Sequence, residues 1–435
     1  MAQARRALRL VVILYLFIAG VYATTIPPGG GPDETAHVRY IEWLAQQHRP
    51  PVFDQQHPGS NYEFHQPPLY YLMSLPPYLA ASSPTQAAQA VRFANVFIGV
   101  VVLYLTFAFG RALVPDRPWV AVAAAAVVAF LPMHLALVSS AGNDVLTEVF
   151  VAAALLIVVR HLHFASDYKQ QAEGRAPGVG AALLSGLMIG LGLLTKSIAA
   201  LLFPVVWLAL AFAARGPRGY EWKRLARDLA ACTGVALLLG GWWLIRNQVI
   251  YGDLLAQKAF LVAFRDRPSP EAMMSKYSLL PWQYVLLTAG WTIATTFGVF
   301  GERFAFFPYQ IYAIFGAKGL AEGAGFVRHL VRGKLADWQV QTWLACAALT
   351  ALLLASFIRF NLSFFQAQAR YLFPALPAAA VALCLGLDGL APRGKGWVAL
   401  IAGLTLLLAL ATVGFFVWIV PQLGGGQSPF AAARP

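Results

Sequence analysis

Apolar runs of helix-spanning length alternate along this chain with short segments that carry most of its charge. Eleven such runs can be placed, at 8–24, 89–110, 119–137, 145–162, 178–194, 197–214, 229–245, 306–324, 339–358, 371–388 and 396–419. A hydrocarbon core about 30 Å thick needs roughly 20 apolar residues per helix, because unpaired backbone groups in lipid cost several kcal/mol each. The pattern predicts an all-α fold, a polytopic transmembrane helical bundle over residues 1–420. Two long outer loops interrupt it at 25–88 and 247–307, and a flexible Gly/Pro-rich tail follows at 421–435. The run at 306–324 is the weakest, since Lys318, Glu322 and several glycines break it. A further apolar stretch, Trp282 to Phe300, reads as an interfacial or re-entrant helix inside the second outer loop.

Composition agrees with a membrane bundle. Of 435 residues, 59% are hydrophobic and 12% charged, where a soluble domain carries about 25% charged residues. The formal net charge of +13 raises nucleic acid as a partner, but the basic residues occupy alternate loops and no nucleic-acid-binding module is present. They are Arg111 and Arg117; Lys169 and Arg175; Arg215, Arg218, Lys223, Arg224 and Arg227; Arg328, Arg332 and Lys334; and Arg393 and Lys395. By the positive-inside rule these loops and the N-terminus are cytoplasmic. The first run has Arg5, Arg6 and Arg9 at its start and could pass for a signal peptide with a weak Val21-Tyr22-Ala23 cleavage site. The many later spans favour an uncleaved anchor. Cys232, Cys346 and Cys384 lie inside apolar runs without metal-ligand spacing and read as small core residues.

Polar residues gather where runs end on the opposite side. Pro27-Pro28-Gly29-Gly30-Gly31-Pro32-Asp33-Glu34-Thr35-Ala36-His37 fixes a turn and begins a short helix that puts His37 one turn from Asp33. Asp33 and Glu34 read either as a helix cap with surface charge or as a carboxylate that takes a proton from an acceptor. Further on, Tyr62-Glu63-Phe64-His65-Gln66-Pro67-Pro68-Leu69-Tyr70-Tyr71 offers Glu63 and His65 as substrate or metal ligands, or as interfacial anchors. Asn143 and Asp144 stand between two runs, Asp144 as a cap or a second site carboxylate. Lys196, in Leu194-Thr195-Lys196-Ser197, has almost no loop to accommodate it, so it snorkels or faces a polar cavity. Arg246, followed by Asn247, Tyr251, Gly252 and Asp253, and Arg370 with Tyr371 are outer cations against the positive-inside trend. Arginine suits bidentate phosphate binding and lysine acts as a point charge.

With these motifs in this order, the chain resembles the C-type (GT-C) membrane glycosyltransferase superfamily, and within it bacterial relatives of the protein O-mannosyltransferases and the lipid A aminoarabinose transferase. The motifs are Pro32-Asp33-Glu34 with His37, Pro67-Pro68-Leu69-Tyr70-Tyr71, Asn143-Asp144, Leu194-Thr195-Lys196, Arg246-Asn247 with Tyr251-Gly252-Asp253, and Arg370-Tyr371 through Pro374. The resemblance implies juxtamembrane helices in the first outer loop and inverting transfer from a polyprenyl-phosphate-linked sugar donor to a glycan, lipid or protein acceptor. It places the active site on the periplasmic side of a bacterial inner membrane. Asp33, with Glu34 as its adjacent competitor, matches the acceptor-activating acid, and Asp144 matches a second acidic position. Lys196, Arg246 and Arg370 are the choices for the lipid phosphate, with His37, Glu63, His65, Asn143, Tyr251 and Tyr371 as further substrate-binding candidates. A divalent cation held by the acids with His37 and His65 is left open, since no close ligand spacing compels it. The rival expectations are a transporter or flippase of a lipid-linked saccharide, which would use the same positive pocket without breaking a bond, and an O-antigen ligase or polymerase.

Overall fold

Helices occupy the eleven apolar runs. The computed structural model describes residues 2–57, 59–170, 177–216, 218–298, 305–392 and 395–423. Arg175, Arg393, the end of the Trp282 to Phe300 stretch and the tail from 424 lie outside the described residues.

The first helix, α1 (Ala2–Thr25), is followed by α2 (Glu34–Gln47), a 3₁₀ segment Gly59–His65 and α3 (Leu69–Leu79), so the first outer loop forms the expected short helices. Ser83 then caps α4 (Pro84–Leu113), accepting from the Gln86 amide at 3.3 Å with Pro84 in the first turn. The third run is broken into α5 (Pro118–Phe130) and α6 (Pro132–Val138), bent by 66°. Pro132 is the cause: it disfavours helical backbone at the residue before it, and Leu131 is extended with ψ 117. Next comes α7 (Asp144–Gln170), the most buried of the spanning helices. After α8 (Gly180–Leu193) the chain passes through Leu194, Thr195 and Lys196 and a 3₁₀ turn, Ser197–Leu201, into α9 (Leu202–Ala213). A two-residue hairpin, β1 (Arg215–Gly216) with β2 (Gly219–Tyr220), leads to α10 (Trp222–Tyr251).

The second outer loop carries α11 (Gln257–Ala263), α12 (Pro270–Lys276) and α13 (Pro281–Phe297). The last of these covers most of the Trp282 to Phe300 stretch. Both its ends are tied to one short stretch of chain, Tyr284 donating to the Asn361 carbonyl (2.8 Å) and Thr295 to that of Ala367 (3.1 Å). The bundle is completed by α14 (Tyr309–Arg332), α15 (Asp337–Asn361), a 3₁₀ segment Ala369–Ala375 continuing into α16 (Leu376–Leu390), α17 (Gly396–Ala409), a π-helical stretch Leu410–Ile419 and α18 (Val420–Leu423).

Among the described residues seven helices are long and apolar enough to cross a membrane, or eight if the bent pair α5–α6 counts as one crossing. The protein is a multi-pass membrane protein. The other three runs differ for physical reasons: α8 and α9 are short, and α14 carries a Lys318–Glu322 ion pair within its length.

Close helix contacts depend on small residues, as expected where lipid offers no hydrophobic drive between helices. A side chain at Gly186 would collide with the Cys232 carbonyl of α10, and one at Gly386 with the Glu322 carbonyl of α14. The π-helical stretch frees a backbone acceptor, which the buried Tyr22 hydroxyl satisfies by donating to the Ala411 carbonyl at 2.9 Å while its ring stacks on Phe415. One end of the bundle is basic and is tied by Arg117–Asp388 (2.6 Å) and by Gln339 donating to the Leu113 carbonyl (2.9 Å). The opposite end gathers the first outer loop, the 139–143 and 194–196 junctions, α11 to α13 and the segment before α16.

Candidate functional site

Asp33 sits at the N-terminal boundary of α2 in the left-handed region, φ 53 and ψ 12, a conformation that aspartate tolerates better than most residues. It makes no capping hydrogen bond, which leaves its carboxylate free to turn inward. The Tyr62 hydroxyl donates to Oδ1 at 2.9 Å, and Arg370 Nη2 pairs with Oδ2. Burial alone would raise the Asp33 pKa; the Arg370 guanidinium and then His37 overcome it and hold the carboxyl well below the usual carboxylate range.

Arg370 joins the two acids. Its Nη1 donates to Asp144 Oδ2 at 3.4 Å, its Nε donates to Gln368 Oε1 at 2.7 Å, and its guanidinium lies 5.1 Å from the centre of the Tyr371 ring. The side chain is 3% exposed. Asp144 opens α7, where the helix N-terminus favours a carboxylate, and Lys196 Nζ donates to its Oδ1 at 2.5 Å. Lys196 reaches it from an extended residue between α8 and the following 3₁₀ turn, where no helix restrains it. Asp33, Arg370, Asp144 and Lys196 thus form one chain of alternating charge at the bundle end.

That chain borders a cavity of about 480 Å³. Asp144, Lys196, Arg370, Tyr371 and Gln66 line its polar end, and Ile198, Leu201, Leu352, Leu353 and Phe357 give it apolar walls. Asp33 does not line it and lies behind Arg370. A polar head against apolar walls suits an amphiphile whose anion meets Lys196 and Arg370.

The other candidates separate into those around this chain and those outside it. His37 is buried, its Nδ1 2.9 Å from the Tyr71 hydroxyl, and burial pushes its pKa down to about 4. His65 is likewise neutral, pushed down to about 4 by burial; Nδ1–H donates to the Tyr62 carbonyl at 2.6 Å, and Nε2 accepts from Gln66 at 3.3 Å. Glu63 is buried with Oε2 unpartnered, and burial followed by the Asp33 charge pushes its carboxyl up to about 8. Asn143 donates to Gln66 Oε1 (3.3 Å) and to the Thr195 carbonyl (3.2 Å), tying the residue before Lys196 to Gln66.

Three expectations from the sequence take a different place. Glu34 is paired away from Arg370: Arg92 binds both its oxygens (2.6 and 2.7 Å) and it accepts from the amides of Ala141 and Gly31. Arg92 uses its remaining donors on the carbonyls of Ala23, Ile26 and Pro27 at the end of α1. Arg246 stands apart from Lys196 and Arg370; it donates to the Pro51 carbonyl at 2.6 Å and stacks over Trp243, 4.2 Å from the ring centre. Tyr251 accepts from the Phe53 amide at 2.9 Å, so both residues hold down the 51–53 segment. Sequence reasoning passed over Tyr62 and Gln66 as individual ligands although both lie inside a motif that it quoted, and it passed over Gln368, two residues before Arg370. It also passed over Arg92, whose signal was a cation inside an apolar run. Among the described residues no three His, Cys, Asp or Glu side chains come together as a metal-ligand set.

Residues 44–250 match the model of the family described as dolichyl-phosphate-mannose-protein mannosyltransferase. The match takes in Glu63, Asp144 and Lys196 but not Asp33 or Arg370. Among solved structures, the chain superposes on ArnT from Cupriavidus metallidurans bound to undecaprenyl phosphate, with a TM-score of 0.50 and 16% identity over 92% of this chain and 62% of that one. The fold is that of a C-type membrane glycosyltransferase. The archaeal oligosaccharyltransferase AglB from Archaeoglobus fulgidus, in complex with an inhibitory peptide and a dolichol-phosphate, gives a TM-score of 0.50 at 16% identity, covering 96% and 56%. The arabinofuranosyltransferase AftD from Mycobacteria gives 0.51 at 15%, covering 95% and 27%. The chain spans less than two thirds of the length of each of these proteins. Comparison with the curated proteins finds no significant sequence match. The resemblance to C-type glycosyltransferases read from the sequence is borne out by the shared fold and by the match over residues 44–250.

Proposed function

We propose that the protein is a membrane glycosyltransferase that moves a sugar, with inversion, from a polyprenyl-phosphate-linked donor to the hydroxyl of a glycan, lipid or protein. The reaction takes place at the outer face of a bacterial inner membrane, with the N-terminus in the cytoplasm. The observation that carries this reading is Arg370 bridging Asp33 and Asp144, with Lys196 beside them, at the head of an apolar-walled cavity.

The donor's phosphate enters the cavity head and competes with the carboxylates for Arg370 and Lys196. A phosphate that takes over Arg370 releases Asp33, whose basicity rises once the charge holding it down is shared elsewhere. Asp33 then accepts the proton of the acceptor hydroxyl, oriented by Tyr62, as the oxygen attacks the anomeric carbon. The bond from that carbon to the phosphate oxygen breaks, and the polyprenyl phosphate leaves with its charge stabilised by Arg370 and Lys196; such stabilisation contributes several kcal/mol. Asp144 keeps Lys196 aimed at the cavity.

Turnover in nanodiscs, followed as release of polyprenyl phosphate from a polyprenyl-phosphate-linked sugar in the presence of an acceptor, tests the reading. Asp33→Asn is expected to lower the rate about 10²- to 10⁴-fold while donor binding is retained or tightened, because the amide no longer competes as an anion for Arg370. An unchanged rate removes Asp33 as the base. Movement of the intact donor between leaflets without cleavage favours transport instead.

A further inference from the structure

The charges lining the cavity do not cancel. Lys196 and Arg370 each face a carboxylate, so the four-residue chain is neutral as a unit. Arg359 lines the same cavity, and among the described residues it has neither an ion pair nor a hydrogen bond. It lies in the last turn of α15, exposed, with Ser356 one turn before it and Ser363 one turn after, both also lining the cavity. The apolar wall formed by Leu352, Leu353 and Phe357 descends from Arg359 along the same helix.

A cation in the last turn of a helix is commonplace, because it complements the dipole and anchors the helix at the interface. Two features separate Arg359 from such an anchor. It borders a cavity whose other cations are already neutralised, and it stands at the end of the bundle where the positive-inside trend disfavours basic residues. An anion in this cavity finds at Arg359 a guanidinium that no carboxylate opposes.

We propose that Arg359 is the capture subsite for a lipid-linked phosphate. Its guanidinium takes the phosphate oxygens, Ser356 and Ser363 offer hydroxyls to the same group, and the lipid's first isoprenoid units lie along the Leu352, Leu353 and Phe357 wall. The headgroup is held there while the Asp33–Arg370–Asp144–Lys196 pairs remain closed; its advance to Lys196 and Arg370 opens them. This rests on the transferase reading of the cavity, and it gives Arg359 the part that the sequence suggested for Arg246.

Full-length protein in nanodiscs of zwitterionic lipid, titrated with undecaprenyl phosphate and read by native mass spectrometry, tests it. Arg359→Gln is expected to weaken binding about tenfold, and Arg359→Lys to recover most of the loss, with unchanged melting temperatures because the side chain holds nothing in place. Equal binding by wild type and Arg359→Gln overturns the subsite and leaves the transferase reading standing. If wild type fails to bind undecaprenyl phosphate, both fall. Inorganic phosphate as competitor separates the two sources: displacement only of the Arg359-dependent component, at concentrations far above the lipid's, is the expected result. Binding of inorganic phosphate as tight as the lipid's, with the same Arg359 dependence, overturns the lipid assignment.

Discussion

Asp33 and Glu34 are neighbours in sequence, each meets an arginine, and the two pairs are built in opposite ways. Glu34 and Arg92 are 1% and 2% exposed, joined through two short hydrogen bonds. The remaining donors of Arg92 and acceptors of Glu34 are satisfied by carbonyls at and just after the end of α1 and by loop amides. Packing around the clamp leaves no room, since a side chain at Gly31 would collide with Ser140. The Asp33 pair is 17% exposed on the acid, and its arginine is shared with Asp144 and Gln368 beside an open cavity. A closed pair fixes where α1, α2 and α4 meet. A shared pair at a cavity can exchange one oxygen ligand for another, which is what a phosphate site requires.

Breaking each pair in turn sharpens the contrast. Glu34→Gln leaves Arg92 buried without its counter-charge and is expected to cost about 3–5 kcal/mol of stability, read as a large fall in melting temperature in detergent. Turnover per folded molecule should stay near wild type. Normal melting with lost turnover would instead place Glu34 in the chemistry. Within the other pair, Tyr62→Phe removes one neutral donor to a carboxylate and should lower turnover about tenfold, since a hydrogen bond to a charged group is worth about 1.5–3 kcal/mol; the melting temperature should barely move. An effect confined to stability would sever Tyr62 from Asp33's role.

A pH dependence separates Glu63 from both pairs, its carboxyl being pushed up to about 8 by burial and the Asp33 charge. The folded state therefore holds a proton that the unfolded state has lost above its ordinary value near 4.5. Stability should fall as pH rises from about 4.5 to 8 through this group. Glu63→Gln should flatten that slope in a melting-temperature series. A slope that survives the substitution assigns it to another group.

Much of the site's membership was legible because membrane sequences give unusual weight to a charge. Lys196 between two apolar runs and Arg370 before another had to be solvated by something, and the structure brings both to Asp144. His37 was placed one turn from Asp33 by helix period alone, and α2 keeps that spacing. Arg246 met the same test of position, yet its partner is a backbone carbonyl across 195 residues of sequence. Nothing local distinguishes an arginine that holds a loop from one that faces a cavity. Arg359 escaped notice for the converse reason: at the end of an apolar helix it reads as an ordinary anchor, and only the cavity beside it gives it another meaning.

Local rules therefore determined the apolar runs, the helical class, and the gathering of acids and cations at one end of the bundle. Those properties follow from hydrocarbon thickness, helix period and the cost of solvating charge, each of which acts within a few tens of residues. Tertiary structure decided which carboxylate faces which arginine. Arg370 finds Asp33 across 337 residues and Asp144 across 226, while Glu34, one residue from Asp33, turns to Arg92. That choice depends on the helix crossings and the left-handed turn at Asp33, which aim adjacent side chains in different directions.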